Sequence, residues 1–369
     1  MTRSKSMRRV PLQTEPPIPT REESIDAVTR IPLESLHPDP MQPRRTIPAL
    51  LRPYWIGRPD TEALAYLFNQ WSREIADERQ ASYDLTEALM SDIPDDMIGP
   101  REQALLPIIT LAKKIRERGF LHPITVGRRG GLLTIESGER RWLAAHLLHY
   151  TFPDEHDTWA TIPARPVETI NVWRQASDNI YSDLSAIAAA RQLALLVMDL
   201  YITNGATFDP IHTFEMEQEF YAQVADGVRY PVPGQQRDLL LNATGLRTAV
   251  HVRQYRRLLR LPNLVWVMAD DLNWTESWIQ KNIFAKATTD QEMIALAESA
   301  AVSQGYYAAG DPDLLPRTPS TRTIQARVRK YEKWLHDLDT LRRDLERMTH
   351  AERHSLGERL QEILKWLNP

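Results

Sequence analysis

The sequence of 369 residues contains no cysteine. A disulfide framework, a thiolate zinc site, an iron–sulfur cluster and a cysteine nucleophile are therefore all excluded. Lack of cysteine also fits a reducing compartment, so we expect a cytoplasmic protein.

Long apolar runs are also missing. The most apolar segment, residues 186–202, includes Arg191, Gln192 and Asp199. A charged residue near the centre of a membrane helix costs ~2.5 kcal/mol or more, so we expect no membrane-spanning helix and no membrane partner. The basic N-terminus leads into a proline-rich segment rather than an apolar stretch, and no signal peptide is expected.

Several common chemical signatures are absent as well. The sequence has no glycine-rich P-loop, no dinucleotide-binding fingerprint and no nucleophile elbow around a serine. His350 and His354 are four residues apart, but Glu352 lies between them at the wrong place for a zinc-protease motif. The catalytic residues, if any, stay unknown at this stage.

The residues that are present suit an ordinary globular protein of more than one domain. Hydrophobic residues make up 42% of the chain and charged residues 25%, and this length predicts two or three domains. The formal net charge is −4, from 45 Lys+Arg and 49 Asp+Glu. Residues 60–102 contain 11 acidic residues and 3 arginines, so the rest of the chain is basic.

Changes of pattern along the chain predict its domain organisation. Residues 1–28 are proline-rich and predict a flexible arm. Helical and strand periodicities alternate within residues 29–170 and predict a compact α+β domain, interrupted by an acidic insertion at 46–110. Helical periodicity alone predicts an all-α domain over 171–300, followed by a linker at 301–320 and a helical tail at 321–369.

Within the insertion, an apolar stripe at helical spacing predicts an amphipathic helix: Leu64, Leu67, Phe68, Trp71 and Ile75. After it, residues 111–118 predict a second helix that ends at Gly119. The pair Gly130–Gly131 predicts a turn between two strands. The apolar period then changes from two to 3.6 after Gly138, which predicts a helix from that point.

The segment Gly138–Glu139–Arg140–Arg141 lies at this predicted strand-to-helix junction. Free backbone N–H groups and the helix dipole favour an anion at such a place. Two arginines add charge-assisted contacts to phosphate oxygens. Taken alone, such a run is more often a solvated helix face, so both interpretations stay open here.

A second basic segment spans residues 237–260, with six arginines and one aspartate. Thr244–Gly245–Leu246 predicts a turn between two helices, with Val250, Val252, Leu258 and Leu259 on the buried face of the second. Hydroxyl, amide and guanidinium groups on the second helix are suited to reading base edges and holding phosphates. The alternative is again a solvated charged face.

In order along the chain, several motifs resemble the N-terminal domain of ParB-like partition proteins. They are His37–Pro–Asp–Pro40, Gln42–Pro–Arg–Arg45, Gly119–Phe–Leu–His–Pro–Ile–Thr–Val126 and Ser137–Gly–Glu–Arg–Arg–Trp–Leu–Ala144. Beyond them, Asp178–Asn179 stands where the family has Glu–Asn, and a helix-turn-helix pattern follows. The resemblance covers roughly residues 30–290 apart from the acidic insertion.

The resemblance implies a CTP-dependent switch in the N-terminal domain. It assigns nucleotide binding to Gly138, Glu139, Arg140, Arg141 and Asn179, and a Mg²⁺ ion to Asp178 and Asn179. Oxygen ligands of this kind suit a hard cation. Two positions depart from the family pattern: Asp178 is one methylene shorter than the usual Glu, and Ser182 replaces an arginine. Weak CTP hydrolysis is the candidate enzymatic activity.

The resemblance also implies binding of double-stranded DNA in plasmid or chromosome partition. DNA-contacting positions would be Arg44 and Arg45 in a proline-framed loop, and the following on the second helix of the basic segment: Arg247, Thr248, His251, Arg253, Gln254 and Arg257. The fold expected is an α+β ParB-like domain followed by an all-α helix-turn-helix domain and a coiled-coil-like tail. The protein would lie on the nucleoid or on a plasmid, with a ParA-type ATPase as candidate partner.

The C-terminal tail predicts a homodimer contact. Ile324, Val328, Tyr331, Leu335 and Leu338 are spaced four and three residues apart, as in a coiled-coil seam. A seam that folds back on its own chain is the alternative, because only two or three heptads are present.

Two other functions stay open on the sequence alone. One is a ParB-fold transcriptional regulator or accessory DNA-binding protein without a nucleotide cycle. The other is a catalytic member of the same superfold, either a nuclease or a small-molecule kinase.

Overall fold

The computed structural model describes residues 27–55, 57–91, 99–179, 184–209 and 217–306. Within these residues no helix is long and apolar enough to cross a membrane. The predicted tail at 321–369 and almost all of the predicted arm at 1–28 lie outside the described residues, as does Ser182.

The N-terminal part is built on a mixed five-stranded sheet. Its strands are β1 (Thr29–Pro32), β2 (His37–Pro38), β3 (Ile124–Arg129), β4 (Leu132–Ser137) and β5 (Thr161–Thr169), in the order β1-β5-β3-β4-β2. Strands β3 and β4 form the predicted antiparallel hairpin, while β3 pairs in parallel with β5. The prediction of an α+β N-terminal region is therefore confirmed.

Helices cover this sheet and complete its core. They are α1 (Thr61–Arg79), α2 (Leu85–Met90), α3 (Pro100–Arg118), α4 (Glu139–Thr151) and the short α5 (His156–Trp159). The predicted face of α4 is confirmed, since Trp142, Leu143 and Leu147 are fully buried. Gly119 ends α3, as predicted.

The acidic segment is part of this core rather than a surface addition. All five residues of the predicted apolar stripe of α1 are buried in the same cluster as Trp142. The second predicted helix begins earlier than expected, at Pro100 rather than 111, so α3 crosses the predicted insertion boundary at residue 110. A proline at position 107, inside the helix, hid its first half from the sequence pattern.

The acidic charge is partly neutralised inside the protein. Arg101 pairs with Glu74 at 3.0 Å and with Glu78 at 3.4 Å. Arg79 forms a two-point pair with Glu102, whose side chain is fully buried, with nitrogen–oxygen distances of 2.5 Å. Both partners of each pair lie within the acidic segment, so its removal would delete these ion pairs and also strip the core of apolar side chains.

The described residues after Thr169 form helices only, as the pattern predicts. These are α6 (Val172–Asn179), α7 (Ala186–Ile202), α8 (Glu217–Ala222), α9 (Gly234–Thr244), α10 (Ala249–Leu258), α11 (Asn263–Asp271), α12 (Glu276–Ile279, continued by one π-turn) and α13 (Asp290–Ser303). Their core surrounds α7, which is buried almost on every side. Tyr306 is also buried and donates to Asp271 at 2.6 Å, so the described part of the predicted linker, residues 301–306, belongs to this helical fold.

A buried ionic network ties the two cores together. Glu217, at the start of α8, pairs with Arg45 at 3.1 Å, with Arg52 at 3.4 Å and with Arg191 of α7. Arg191 also pairs with Asp270 at 2.7 Å. Burial alone would raise the pKa of Glu217, but the three guanidinium groups lower it to about 2. Arg191, noted above as a charged residue within the apolar segment 186–202, also donates to the carbonyl oxygen of Pro43 at 3.1 Å. It is therefore an internal partner of the N-terminal loop.

Candidate nucleotide and nucleic-acid sites

Gly138 makes the sharp turn from β4 into α4. Its φ is +100°, and a Cβ atom there would come within 2.5 Å of the Ile124 side chain. Only glycine fits a backbone of this conformation and this close approach. The turn brings Glu139, Arg140 and Arg141 into the first turn of α4. The backbone N–H of Arg141 bonds to the Gly138 carbonyl oxygen at 2.9 Å, so the N–H groups of Glu139 and Arg140 are the ones left there without a backbone partner among the described residues.

The two arginines of this segment differ in what they contact. Arg141 donates from Nη1 to the carbonyl oxygens of His122 and Pro123, at 2.8 and 2.5 Å. Arg140 makes no hydrogen bond or salt bridge with the residues that the structure describes. Burial lowers the pKa of both guanidinium groups. Arg140 is thus the side chain of this pair available to a ligand.

Glu139 faces the proline-framed loop rather than open solvent. Burial raises its pKa to about 7, an effect partly offset by Arg45 and by a hydrogen bond with Thr46. Glu139 also lines a small cavity together with Asp39, Arg45 and Trp55. The carboxyl group therefore links the first turn of α4 to the loop that carries Arg45.

Asp178 and Asn179 lie in the last turn of α6. Asp178 is exposed and close enough to Arg141 to raise the pKa of that guanidinium, against the effect of burial. Asn179 donates from Nδ2 to Gln192 at 3.1 Å. The structure thus brings one predicted magnesium ligand beside one predicted phosphate contact.

A pair that the sequence interpretation missed holds α6 against the sheet. Glu136, at the end of β4, is fully buried and binds Arg174 of α6 at 2.5 and 2.7 Å. The same carboxylate accepts from the backbone N–H of Asn171 at 2.8 Å. These contacts set the position of Asp178 relative to Arg141. The available signal in the sequence was Glu136 itself, a charged residue in a mostly apolar strand, which indicates a buried ionic partner.

The donor set of the predicted magnesium site fits a hard cation only with help from a ligand. The described residues contain no group of three His, Asp or Glu side chains able to hold a metal ion alone. Asp178 and Asn179 offer a carboxylate and an amide oxygen, which suit Mg²⁺ when phosphate oxygens and water complete its coordination.

The predicted DNA contacts Arg44 and Arg45 fall in a loop that packs inside the protein. Arg45 is almost fully buried and, besides Glu217, donates to the carbonyl oxygens of Gln42 and Pro40, both at 2.8 Å. Arg44 is half-buried and has an interaction of its own. Because the charge of Arg45 is satisfied internally, we no longer expect it to contact DNA.

The second basic segment folds into two helices joined by a short turn. Helix α9 ends at Gly245, and Thr248 caps α10 by accepting from the His251 backbone N–H at 3.3 Å. The hydroxyl of Thr248 thus has a structural role in addition to its predicted one. Val252, Leu258 and Leu259 are buried as predicted, but Val250 is 50% exposed, since it lies on the opposite side of α10.

Helix α10 and its flanks present most of the predicted base-reading side chains at the surface, but the Oε1 atom of Gln254 is buried and has no hydrogen-bond partner among the described residues. Arg247, Arg253 and Arg257 are exposed, while His251 and Gln254 are half-buried. Arg257 donates to Gln280 at 2.9 Å and stacks over Phe284 at 4.2 Å. The exposed face is therefore basic and mixed in hydrogen-bonding capacity.

Beside α10 lies an open cleft with a volume of about 1170 Å³. Five arginines and one acidic residue, Asp226, line it; the arginines are Arg237, Arg253, Arg256, Arg257 and Arg260. None of the five forms a salt bridge within the described part of the chain, in contrast to Arg79, Arg101 and Arg191. Arg237, Arg256 and Arg260 were not assigned a site by the sequence interpretation; the count of six arginines was the signal.

Comparison with known proteins gives limited similarity. No protein-family model matches the sequence, and no curated protein matches it. Among solved structures, the chain is similar to the C-terminally truncated chromosome-partitioning protein ParB from Caulobacter crescentus, complexed with CTP-γ-S. The identity is 20%, the match covers 74% of this chain and 98% of that chain, and the TM-score is 0.22. With so low a TM-score, the proposals below rest on the residues of this chain.

Proposed function

We propose that this protein binds double-stranded DNA through the turn between α9 and α10, and that a nucleotide, CTP with Mg²⁺, regulates this binding. The observation that carries the proposal is the set of exposed arginines on and around α10 that no carboxylate neutralises within the described residues. Protein arginines normally pair internally or are scattered, whereas DNA phosphates require an unpaired basic face.

The local geometry supports a helix-turn-helix. Two helices of 11 and 10 residues are joined across Gly245 and Leu246, and the second is capped by Thr248. In such motifs the N-terminal part of the second helix reads base edges. Arg247 and His251 are the side chains at that end with accessible hydrogen-bonding groups.

A duplex-binding measurement with surface variants tests the DNA part. We expect Arg247→Gln to weaken binding to duplex DNA by about 1–3 kcal/mol, because the variant lacks a guanidinium group that binds a base or phosphate. Arg118→Gln, on the exposed last turn of α3, is the matched control and should bind like the wild type. Equal affinity of both variants and the wild type for every duplex tried would overturn this assignment.

The first turn of α4 supports the nucleotide part. The glycine turn, the backbone N–H groups of Glu139 and Arg140, and the Arg140 side chain, which has no partner among the described residues, together favour the binding of a phosphate. Asp178, held near Arg141, would supply a carboxylate oxygen to a cation that accompanies such a phosphate.

Calorimetry with CTP, ATP and GTP tests this site. We expect CTP with Mg²⁺ to bind the wild type, and Arg140→Ala to abolish binding while leaving duplex affinity unchanged. Simultaneous loss of both activities would indicate misfolding, which thermal unfolding would reveal. No heat of binding for any of the three nucleotides, with and without duplex DNA, would remove the switch from the proposal.

One observation favours the regulator without a nucleotide cycle as second candidate. Arg141 is already used by the His122 and Pro123 carbonyl oxygens, so a single arginine of the pair is left for a triphosphate. That protein would bind duplex DNA with the same affinity in the presence and absence of CTP.

Partition is the cellular role proposed for a nucleotide-regulated DNA-binding protein of this kind. It includes homodimerisation through the tail at 321–369 and a ParA-type ATPase as partner, both carried over from the motif resemblance. A chain truncated after residue 306 should still bind duplex DNA, with the affinity of one protomer for its site. The mass that light scattering measures should fall from that of a dimer to that of a monomer.

A further inference from the structure

The cleft beside α10 contains a buried arginine that the rest of the protein does not satisfy. Arg256 is 7% exposed, and its Nε and Nη2 atoms have no hydrogen-bond partner among the described residues. Burial lowers its pKa to about 10. An unpaired buried guanidinium is costly, and an anion bound in the cleft would offset that cost.

The surroundings of Arg256 are built to leave room for it. A Cβ atom on Gly227 would lie 2.9 Å from its Nη1, so the glycine allows the guanidinium to pass beneath the turn at residues 226–229. Asp226, the acidic residue of the cleft, already accepts from the backbone N–H groups of Val228 and Arg229 at 2.8 and 3.3 Å. The cleft thus carries a large excess of positive charge.

The shape of the cleft favours an extended anion over a compact one. A volume of about 1170 Å³ exceeds the ~300–1000 Å³ usual for small-ligand pockets. Arg253 and Arg257 lie one helical turn apart, ~6 Å along the axis, and Arg260 follows the end of α10. A DNA strand carries one charge per ~3.4 Å of helix axis and can meet all of them.

We propose that this cleft holds the sugar–phosphate backbone of one DNA strand, with a phosphate seated on Arg256 and neighbouring phosphates on Arg253, Arg257 and Arg260. This inference rests on the proposed function, since it places the backbone next to the groove that α10 would enter. Contacts of this type fix the register of a protein on the duplex and carry no sequence information.

The salt dependence of binding to a short mixed-sequence duplex tests the inference. Removing one arginine that binds a phosphate lowers the slope of log K against log salt by ~0.9. We expect Arg256→Met and Arg260→Gln each to lower the slope by about one and the affinity by about tenfold or more, for every duplex sequence. Gly227→Ala should act in the same direction by displacing the guanidinium. Arg229→Gln is the control, because Arg229 is exposed on the same turn but does not line the cleft.

Thermal unfolding separates this role from a structural one. Removing an unpaired buried charge should raise the melting temperature of Arg256→Met in the absence of DNA, whereas a structural arginine would lower it. A wild-type protein that binds duplex while the cleft variants keep its slope and affinity overturns the inference alone. Binding of inorganic triphosphate to the wild type is measured in parallel. If the cleft variants lose triphosphate binding while the slope of their duplex binding against salt is unchanged, the cleft belongs to a small anion and the inference is overturned. A wild-type protein that binds no duplex overturns the proposed function and, with it, the cleft.

Discussion

At the scale of single residues, the segment 138–141 shows what the sequence predicts and what only the fold determines. The segment at 138–141 was visible as a phosphate-binding candidate because glycine followed by charge at a period change is a local pattern. That Arg141 would turn back to two carbonyl oxygens, leaving Arg140 for a ligand, depends on the loop at residues 119–123 and could not be seen in the sequence.

Gly138 gives the first prediction at this scale. Gly138→Ala adds left-handed strain and a collision with Ile124, and should lower the free energy of unfolding by about 2–4 kcal/mol. Gly131→Ala also has a positive φ but meets no atom within 4 Å, and should cost only about 1 kcal/mol. Urea unfolding of both variants checks the difference; equal losses would contradict it.

The raised pKa of Glu139 gives the second prediction. Since folding favours the neutral carboxyl group, its contribution is fully present below the reference pKa of 4.5 and is lost as pH rises through about 7. Glu139→Gln should therefore gain about 3 kcal/mol of unfolding free energy over the wild type between pH 4 and pH 8, at about 1.4 kcal/mol per unit. A difference between the two proteins that does not vary with pH, in urea titrations, would be inconsistent with this account.

Secondary-structure elements were more predictable than the contacts between them. The apolar stripe of α1 and the buried face of α4 followed from helical spacing alone. The start of α3 did not, because an interior proline imitates a boundary. The exposure of Val250 was missed because a helix of 10 residues gives too few turns to fix its orientation from apolar residues alone.

Helix α8 gives a prediction at the scale of elements. Glu217→Gln leaves Arg191 and Arg45 buried with less compensation and should cost about 3–5 kcal/mol. Glu219→Gln, exposed on the same helix, should cost little. The wild type should also lose stability as pH falls from 4.5 through about 2, because the pKa of Glu217 is lowered. Unfolding curves of Glu217→Gln that match those of Glu219→Gln would refute this role.

At the scale of the whole molecule, the net charge of −4 is the sum of an acidic region at residues 60–102 and a basic remainder that includes residues 237–260. Acidic side chains between residues 60 and 102 neutralise Arg79 and Arg101 inside the N-terminal core, while the arginines around α10 have no such partners among the described residues. Sequence counting found both regions. It could not tell that Arg79 and Arg101 of the acidic region pair internally whereas the arginines around α10 do not within the described part of the chain, because pairing depends on the tertiary fold.

A series of charge interactions connects the first turn of α4 with the helical core. Glu139 of the first site interacts with Arg45, which pairs with Glu217, and Glu217 holds Arg191 in the centre of the helical core. A ligand on Arg140 would therefore bind beside a chain of charges that reaches the helices supporting α10. This chain of charges would offer a physical route by which the proposed nucleotide binding and the proposed DNA binding affect each other.

Retention on duplex DNA with both ends blocked tests this central claim most directly. The protein retained after a salt wash is measured with CTP and Mg²⁺, with ATP and Mg²⁺, and without nucleotide, for the wild type and for Arg140→Ala. The account predicts that CTP alone changes the retention of the wild type, and that Arg140→Ala binds DNA but responds to neither nucleotide. Equal retention of the wild type under all three conditions would contradict it.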